Sequence, residues 1–335
     1  VSLATYVQVA RFVGLDPHKM LRRAGIRPDA LADPEHLLPA GPVTTLLNDS
    51  ARESGCMSFG LLMAESRSLE SVGAVSLLLK HQGTARDVID ALIRYQRLMA
   101  EAVAFSTEER GETVILRTEI AADRGGRQSV ELLMGMVYRI VSAIVSGRWR
   151  PESAHFVHDA PADLSVHRRI FQCPLIFESG FNGFTCSAGS LDAPNPAADS
   201  VMARHAQRYL EMLLPKPADG SITERARRSL YLLLPAGRAT LEQLGENLGV
   251  HPRALQRTLD KEGRTFATLL NEVRRELALR YLSGSAHSVT AIAQMTGYAS
   301  PSSFTRWFCA EFGMAPAAWR AEERQERAAP GGKAQ

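Results

Sequence analysis

The stretch Thr240-Leu241-Glu242-Gln243-Leu244-Gly245-Glu246-Asn247-Leu248-Gly249-Val250-His251-Pro252-Arg253-Ala254-Leu255-Gln256-Arg257-Thr258-Leu259 reads as a helix, a glycine-centred turn and a second helix. Thr240 and Gln243 have the spacing of a capping box, in which a hydroxyl and an amide three residues on satisfy the first free N–H groups. Leu241, Leu244 and Leu248 form one apolar stripe, and Gly249 stands where a left-handed residue closes a helix. Val250 fits as a plug between the two helices. His251 and Pro252 open the second helix, with proline at a position whose N–H has no helical partner in any case. Leu255 and Leu259 then face inward, while Arg253, Gln256 and Arg257 share the outward face. Arginine forks to guanine and glutamine pairs with adenine in a major groove, so these residue types suit base reading. Lys261 and Arg264 are placed for phosphates.

Working outward, the pattern returns at 288–308. Ser288 caps a helix carrying Val289, Ile292, Ala293 and Met295, Gly297-Tyr298 makes the turn, and Ser300 caps a helix with Pro301 at its first position. Phe304 and Phe308 point inward; Ser302, Ser303, Thr305 and Arg306 point outward. Gly313, Pro316 and Trp319 close a last short helix. Between the units, Phe266, Leu269, Leu270, Val273, Leu277 and Leu282 define one stripe on a helix over 265–282, about 27 Å long at ~1.5 Å per residue. A connector of that length suits two probes on one face of a duplex whose repeat is ~34 Å. Spacing alone leaves a second reading open, a helical protein-interaction adaptor.

The chain has 335 residues and a net charge of only +3, which excludes a uniformly basic coat. The charge is uneven: residues 1–220 carry −2 and residues 221–327 carry +4. Cys56, Cys173, Cys186 and Cys309 are scattered without metal-ligand spacing and read as free thiols in a reducing compartment. No apolar run approaches the ~20 residues of a membrane span, and the start Val1-Ser2-Leu3 lacks the pattern of a signal peptide. A cytoplasmic protein without membrane association is expected.

Upstream, helical periodicity covers 3–13, a restart at Asp16-Pro17, then 43–51, 59–64, 72–79 and a Thr84-capped helix to 99. The period changes at 103–106 and 113–117, which flank a charged turn at 108–112 as a hairpin. Residues 127–146 are apolar around much of the helix and read as a buried central helix. Strands are expected at 153–157, 175–178 and 183–187, and a helix behind Pro194 and Pro196 ends near 214. The fold class is therefore mixed. An α/β, helix-rich unit over 1–214 is followed by a linker at 215–220, an all-α unit with two helix-turn-helix motifs over 221–327, and a disordered tail at 328–335.

Ile292-Ala293, Gly297-Tyr298, Ser302, Phe304, Arg306, Phe308, Gly313, Pro316 and Trp319-Arg320 resemble the second-unit signature of AraC/XylS-family transcription regulators. Gly249 to Arg257, with Gly263 and Phe266, resembles the first. Leu15-Asp16-Pro17, Phe59-Gly60-Leu61 and Tyr95-Gln96-Arg97-Leu98 resemble, less specifically, the helix-rich arabinose-binding-type sensor of one subgroup. The resemblance implies base contacts from Arg253, Gln256 and Arg257 in the first unit and from Ser302, Ser303, Thr305 and Arg306 in the second. His251 stands where a serine cap is usual, which weakens the cap or adds a pH-sensitive phosphate contact. Cys309 replaces a usual lysine or arginine, and the small side chains of the second helix point to weaker reading there.

No cofactor is expected. His155 and His158 on a strand point to opposite faces and read as structural, not as a metal site. No GxSxG, phosphate-binding loop or dinucleotide fingerprint occurs, so no catalytic residue is assigned and an enzyme is not expected. Asp16, Asp87 and Asp90 sit at helix starts, where capping explains them. Arg94, Tyr95 and Arg97 are within reach of an anionic effector or form a solvated face. The expected protein is a sequence-specific regulator of transcription on double-stranded DNA, by resemblance working with RNA polymerase; an activator is expected, although the sequence leaves a repressor open. It is expected to be a homodimer answering a small-molecule effector of unknown identity. A constitutive binder whose first unit only dimerises is the alternative, beside the adaptor.

Overall fold

The computed structural model describes residues 3, 5–27, 38–100, 102–120, 126–214, 221–284 and 287–328. The linker expected at 215–220 and nearly all of the expected tail lie outside these residues. The chain divides into two compact units, the second made of Ser221–Gln335 with two short pieces, Val157–Asp159 and Phe177–Gly180.

In the first unit, α1 (Tyr6–Phe12) buries Tyr6, Val9 and Ala10. The Asp16 carboxylate accepts the N–H groups of His18 and Lys19 at 2.9 and 3.2 Å and starts α2 (Pro17–Arg23). Two further helices follow, α3 (Ala40–Ser54) and α4 (Phe59–Glu65). The helix expected over 72–79 is interrupted: Leu69–Val72 is a 3-10 turn, and α5 spans only Val75–Leu79. Gly73 causes the break, with φ 64° and ψ −145°, a conformation that no helix accommodates. Thr84 starts α6 (Ala85–Met99), its hydroxyl donating to the Asp87 carboxylate at 2.8 Å and accepting the Asp87 N–H at 3.2 Å.

The sheet has the order β1-β2-β5-β3-β4, built from β1 (Val103–Arg110), β2 (Thr113–Ile120), β3 (Ser153–His155), β4 (Leu175–Ile176) and β5 (Gly183–Ser187). The first hairpin is tighter than its charged sequence suggests. Arg110 pairs with Thr113, so Glu108, Glu109 and Arg110 belong to the strand and only two residues turn. The Glu108 carboxylate accepts from Arg110 at 2.8 Å and from Arg117 on β2 at 3.2 Å, which offsets the like charge beside it. β3 and β4 are shorter than expected and run parallel. A parallel pair needs a crossover, supplied by α8 (Ser165–Phe171), a helix not read from the sequence. Its only local signal is Asp163, which accepts the Ser165 N–H at 2.8 Å.

The central helix α7 (Arg127–Ile144) buries thirteen of its residues, too many for a one-sided helix. It packs on both α4 and the sheet. Tyr138 on α7 contacts Trp149, Phe171 and Phe184 with ring centroids 5.7–6.2 Å apart. Gly60 lets α4 approach: a Cβ there would lie 2.0 Å from the Gln128 carbonyl oxygen. The Gln128 side chain completes the contact, accepting from the Gly60 N–H and donating to the Met57 carbonyl, both at 2.8 Å. The last helix of this unit, α9 (Ser200–Leu213), buries only Leu210.

The second unit is helical throughout its described part from 221 on: α10 (Ile222–Leu233), α11 (Leu241–Leu248), α12 (Pro252–Lys261), α13 (Phe266–Gly284), α14 (Val289–Met295), α15 (Pro301–Phe312) and α16 (Pro316–Ala328). Leu269, Val273 and Leu277 on α13 are fully buried, and the helix packs against α10, α14 and α16. Its 19 residues span about 28 Å. The closing helix α16 is thirteen residues long, not short, because after Pro316 no residue breaks it.

Candidate DNA-reading surface

Two helix pairs, α11–α12 and α14–α15, carry the outward residues read from the sequence. The first helices of the pairs begin at equivalent caps: Thr240 accepts the N–H of Gln243 at 3.2 Å, and Ser288 that of Ala291 at 3.1 Å. Only half of the expected capping box forms. The Gln243 side chain turns away from the backbone, accepting from Arg238 at 2.7 Å and donating to Glu246 at 2.8 Å. The turns match as well, with Gly249 at φ 65° and Gly297 at φ 77°. The N–H of Val250 returns to the Gly245 carbonyl at 2.9 Å, and that of Tyr298 to the Ala293 carbonyl at 2.8 Å.

Positions 240 and 288 correspond, as do 249 and 297, but the next caps are His251 and Ser300, so the second turn is one residue longer. The first turn is correspondingly tight. A Cβ on Gly245 would lie 2.7 Å from the Val250 carbonyl oxygen, whereas the second pair accepts an alanine, Ala293, at the same place.

Two arginines that the sequence reading passed over hold these turns. Arg225 on α10 donates to the Leu248 carbonyl at 3.2 Å, at the end of α11. Arg274 on α13 donates to the Thr296 carbonyl at 3.1 Å and lies 4.9 Å over the Tyr298 ring. Each cation satisfies a carbonyl that a helix end leaves free. Trp307 adds a third tie, its indole N–H donating to Asn271 on α13 at 2.8 Å within a cluster of Tyr298, Phe304, Phe308 and Phe312. These residues face supporting helices, so outward periodicity does not reveal them.

On α12, Leu255 and Leu259 are fully buried, and Arg253, Gln256 and Arg257 are exposed together with Lys261. Among the described residues these four side chains make no hydrogen bond or ion pair, which leaves them open to a partner. Arg264 is exposed but engaged by the Glu272 carboxylate. The His251 ring accepts the Arg253 N–H through Nδ1 at 3.3 Å, so a ring nitrogen fills the cap position that a hydroxyl takes at Ser300.

On α15, Ser302, Ser303 and Arg306 are exposed and Thr305 is half-buried. Ser300 accepts the Ser303 N–H at 3.2 Å and shares a hydroxyl hydrogen bond with it at 2.9 Å, so both hydroxyls serve the cap. Counting from the caps, Arg306 stands where Arg257 does, Ser302 where Arg253 does and Thr305 where Gln256 does. Cys309 is half-buried.

Glu262, just beyond α12, accepts the N–H groups of Ile222 and Thr223 at 3.0 and 3.2 Å and the Ser221 hydroxyl. It thus caps α10 from the end of α12. Desolvation opposes its ionisation, but the bonds from Ser221, Thr223 and the backbone outweigh that and hold the carboxyl at about 2.

Of the remaining candidates, Arg97 is half-buried. Arg94 pairs with Glu211 at 3.1 Å, and Tyr95 is buried. His155 bonds Ser153 at 2.9 Å and stacks on Phe181 with centroids 4.5 Å apart; His158 bonds the Asp159 carbonyl at 3.0 Å. Among the described residues, no three His, Cys, Asp or Glu side chains gather as metal ligands, and no helix is long and apolar enough to cross a membrane.

Two buttressed helix-turn-helix pairs joined by one helix define a double helix-turn-helix DNA-binding protein. Residues 14–195 match the family described as the arabinose-binding domain of AraC transcription regulators, and residues 244–322 match a helix-turn-helix domain family. The chain belongs to the AraC transcription regulators, and it is a DNA-binding transcriptional regulator, not an enzyme. It is 28% identical to the HTH-type transcriptional regulator VirS of Mycobacterium tuberculosis, covering 96% of this chain and 95% of that one. It is 24% identical to the ornithine utilization regulator of Pseudomonas aeruginosa, covering 92% and 91%. The crystal structure of the transcriptional regulator CdpR from Pseudomonas aeruginosa is 18% identical with a TM-score of 0.44, covering 90% of this chain and 96% of that one.

Proposed function

We propose that α12 is the principal sequence reader, with Arg253, Gln256 and Arg257 contacting base edges and Lys261 a phosphate. The observation that carries this is the joint exposure of those four side chains, with no partner among the described residues, beside two fully buried leucines. Arg264, engaged by Glu272, is a secondary phosphate contact. In the second unit Arg306 reads a base, Ser302 and Thr305 make shorter-range contacts, and Ser300, Ser303 and His251 serve as caps whose N–H-rich helix starts face the phosphates.

In this reading residues 221–327 bind DNA, and residues 1–214 sense an effector and dimerise, in a cytoplasmic activator that works with RNA polymerase. Support for the homodimer comes from α9, whose Met202, Tyr209 and Met212 are exposed at helical spacing, Met212 to 77%. The test selects binding sequences for the full chain from a random duplex library and then titrates the selected site against Arg257→Ala. Loss of preference at one base position supports α12 as the reader. Equal weakening on every sequence overturns it.

A further inference from the structure

The first unit holds two adjoining cavities that no motif announces. One, of about 80 Å³, lies between α3, the 67–72 segment, α6, the β1–β2 hairpin and α7. That is several times the ~10–15 Å³ one bound water needs, so the space admits a small organic group. The second, about 140 Å³ by the same measure, shares Arg67, Ser71, Met136 and Ile140 with the first and adds Arg139.

The chemistry of the walls selects the occupant. Of twenty described residues lining the first cavity, only Thr44, Arg67, Ser71 and Ser129 are polar. Thr44 and Ser129 bond each other at 3.1 Å, so their hydroxyls are already engaged. A pentose would bring its full set of hydroxyls against a wall of Val, Leu, Ile, Met and Phe, and a buried hydroxyl without a partner is costly. The family's arabinose-binding description therefore does not suit this lining. Charge is one-sided too: the two cavities are lined by Arg67 and Arg139 and, among the described residues, by no Asp or Glu. Arg67 is 7% exposed and borders both spaces; burial lowers its guanidinium to about 10, so it stays charged at neutral pH.

We propose that the two cavities form one effector site for a small organic acid with an apolar body, the body lying between α3 and α7 and the carboxylate at the Arg67 end. Arginine matches a carboxylate in geometry as well as charge. The inference rests on the effector-sensing role of the first unit, and its test reads ligand binding directly, so that it fails or stands apart from DNA binding.

The full chain is titrated calorimetrically with octanoate, octan-1-ol and L-arabinose, and its DNA binding is measured in parallel. Octanoate is expected to bind at one saturable site, at least tenfold tighter than octan-1-ol, with no heat from L-arabinose. Arg67→Gln should remove the preference for the acid while leaving octan-1-ol binding unchanged. Val137→Phe, which fills the cavity, should abolish both while the variant still melts cooperatively and binds DNA. Should the buried arginine not tolerate replacement, Arg139→Gln, at the exposed cation of the second cavity, should weaken the preference for the acid in the same comparison. Absence of octanoate binding, binding of L-arabinose, or octanoate binding unchanged by Val137→Phe overturns the proposal.

Discussion

Arg257 and Arg306 occupy the same position counted from their caps, yet their neighbours differ: Arg253 and Gln256 beside one, Ser302 and Thr305 beside the other. The asymmetry therefore lies in the flanking side chains rather than in the central arginine. Arg257→Ala should cost about 1–3 kcal/mol of binding free energy on the selected site. Arg306→Ala, in the same titration, should cost less, because fewer long side chains hold the register around it. Glu262 offers a pH test. Its folded-state pKa, about 2, lies below the ordinary ~4.3 of a glutamate. Its contribution is therefore complete above ~4.3 and is lost as pH falls toward 2. Glu262→Gln should flatten the stability profile of the chain across that window, as followed by circular dichroism, with little change at neutral pH in the slope.

Caps and tight turns govern the elements. Thr240→Ala and Ser288→Ala should each cost about 1 kcal/mol in denaturant unfolding, since each removes the acceptor for a helix-start N–H. Gly245→Val should do more. A branched side chain beside the Val250 carbonyl forces α11 away from α12, so DNA binding and thermal stability should fall together. Ala293→Gly, at the matching place in the roomier second pair, should be mild by comparison. Much of this was legible beforehand. The Asp16, Thr84, Thr240, Ser288 and Ser300 caps, the Gly249 and Gly297 turns and the buried α7 follow from residue type and periodicity. What sequence did not reveal was long-range. The crossover helix α8 lacks a strong start, the Gly73 break shows only as one residue in an apolar run, and β3 and β4 take their length from pairing. The arginines Arg225 and Arg274 act across helices, and the cavity behind α3 is bounded by five separate segments, so neither has a local signature.

For the whole molecule, the sequence's modest charge implies that DNA affinity depends on few phosphate contacts. Binding should fall with rising salt along a shallower log–log line than that of a uniformly basic protein, and Lys261→Ala should reduce that slope by about 1. The exposed face of α9 sets a second expectation. Met212→Glu should shift the chain toward monomer in sedimentation velocity without altering its melting, since the side chain makes little contact within one chain. The Glu262 bond has a mechanical side. It fastens Ser221 and Ile222, at the start of α10, to the residue that follows α12, so the two helix ends are tied across forty residues of chain. A helix start held this way has its first N–H groups satisfied from outside the helix, so α10 is anchored where an unaided helix would fray.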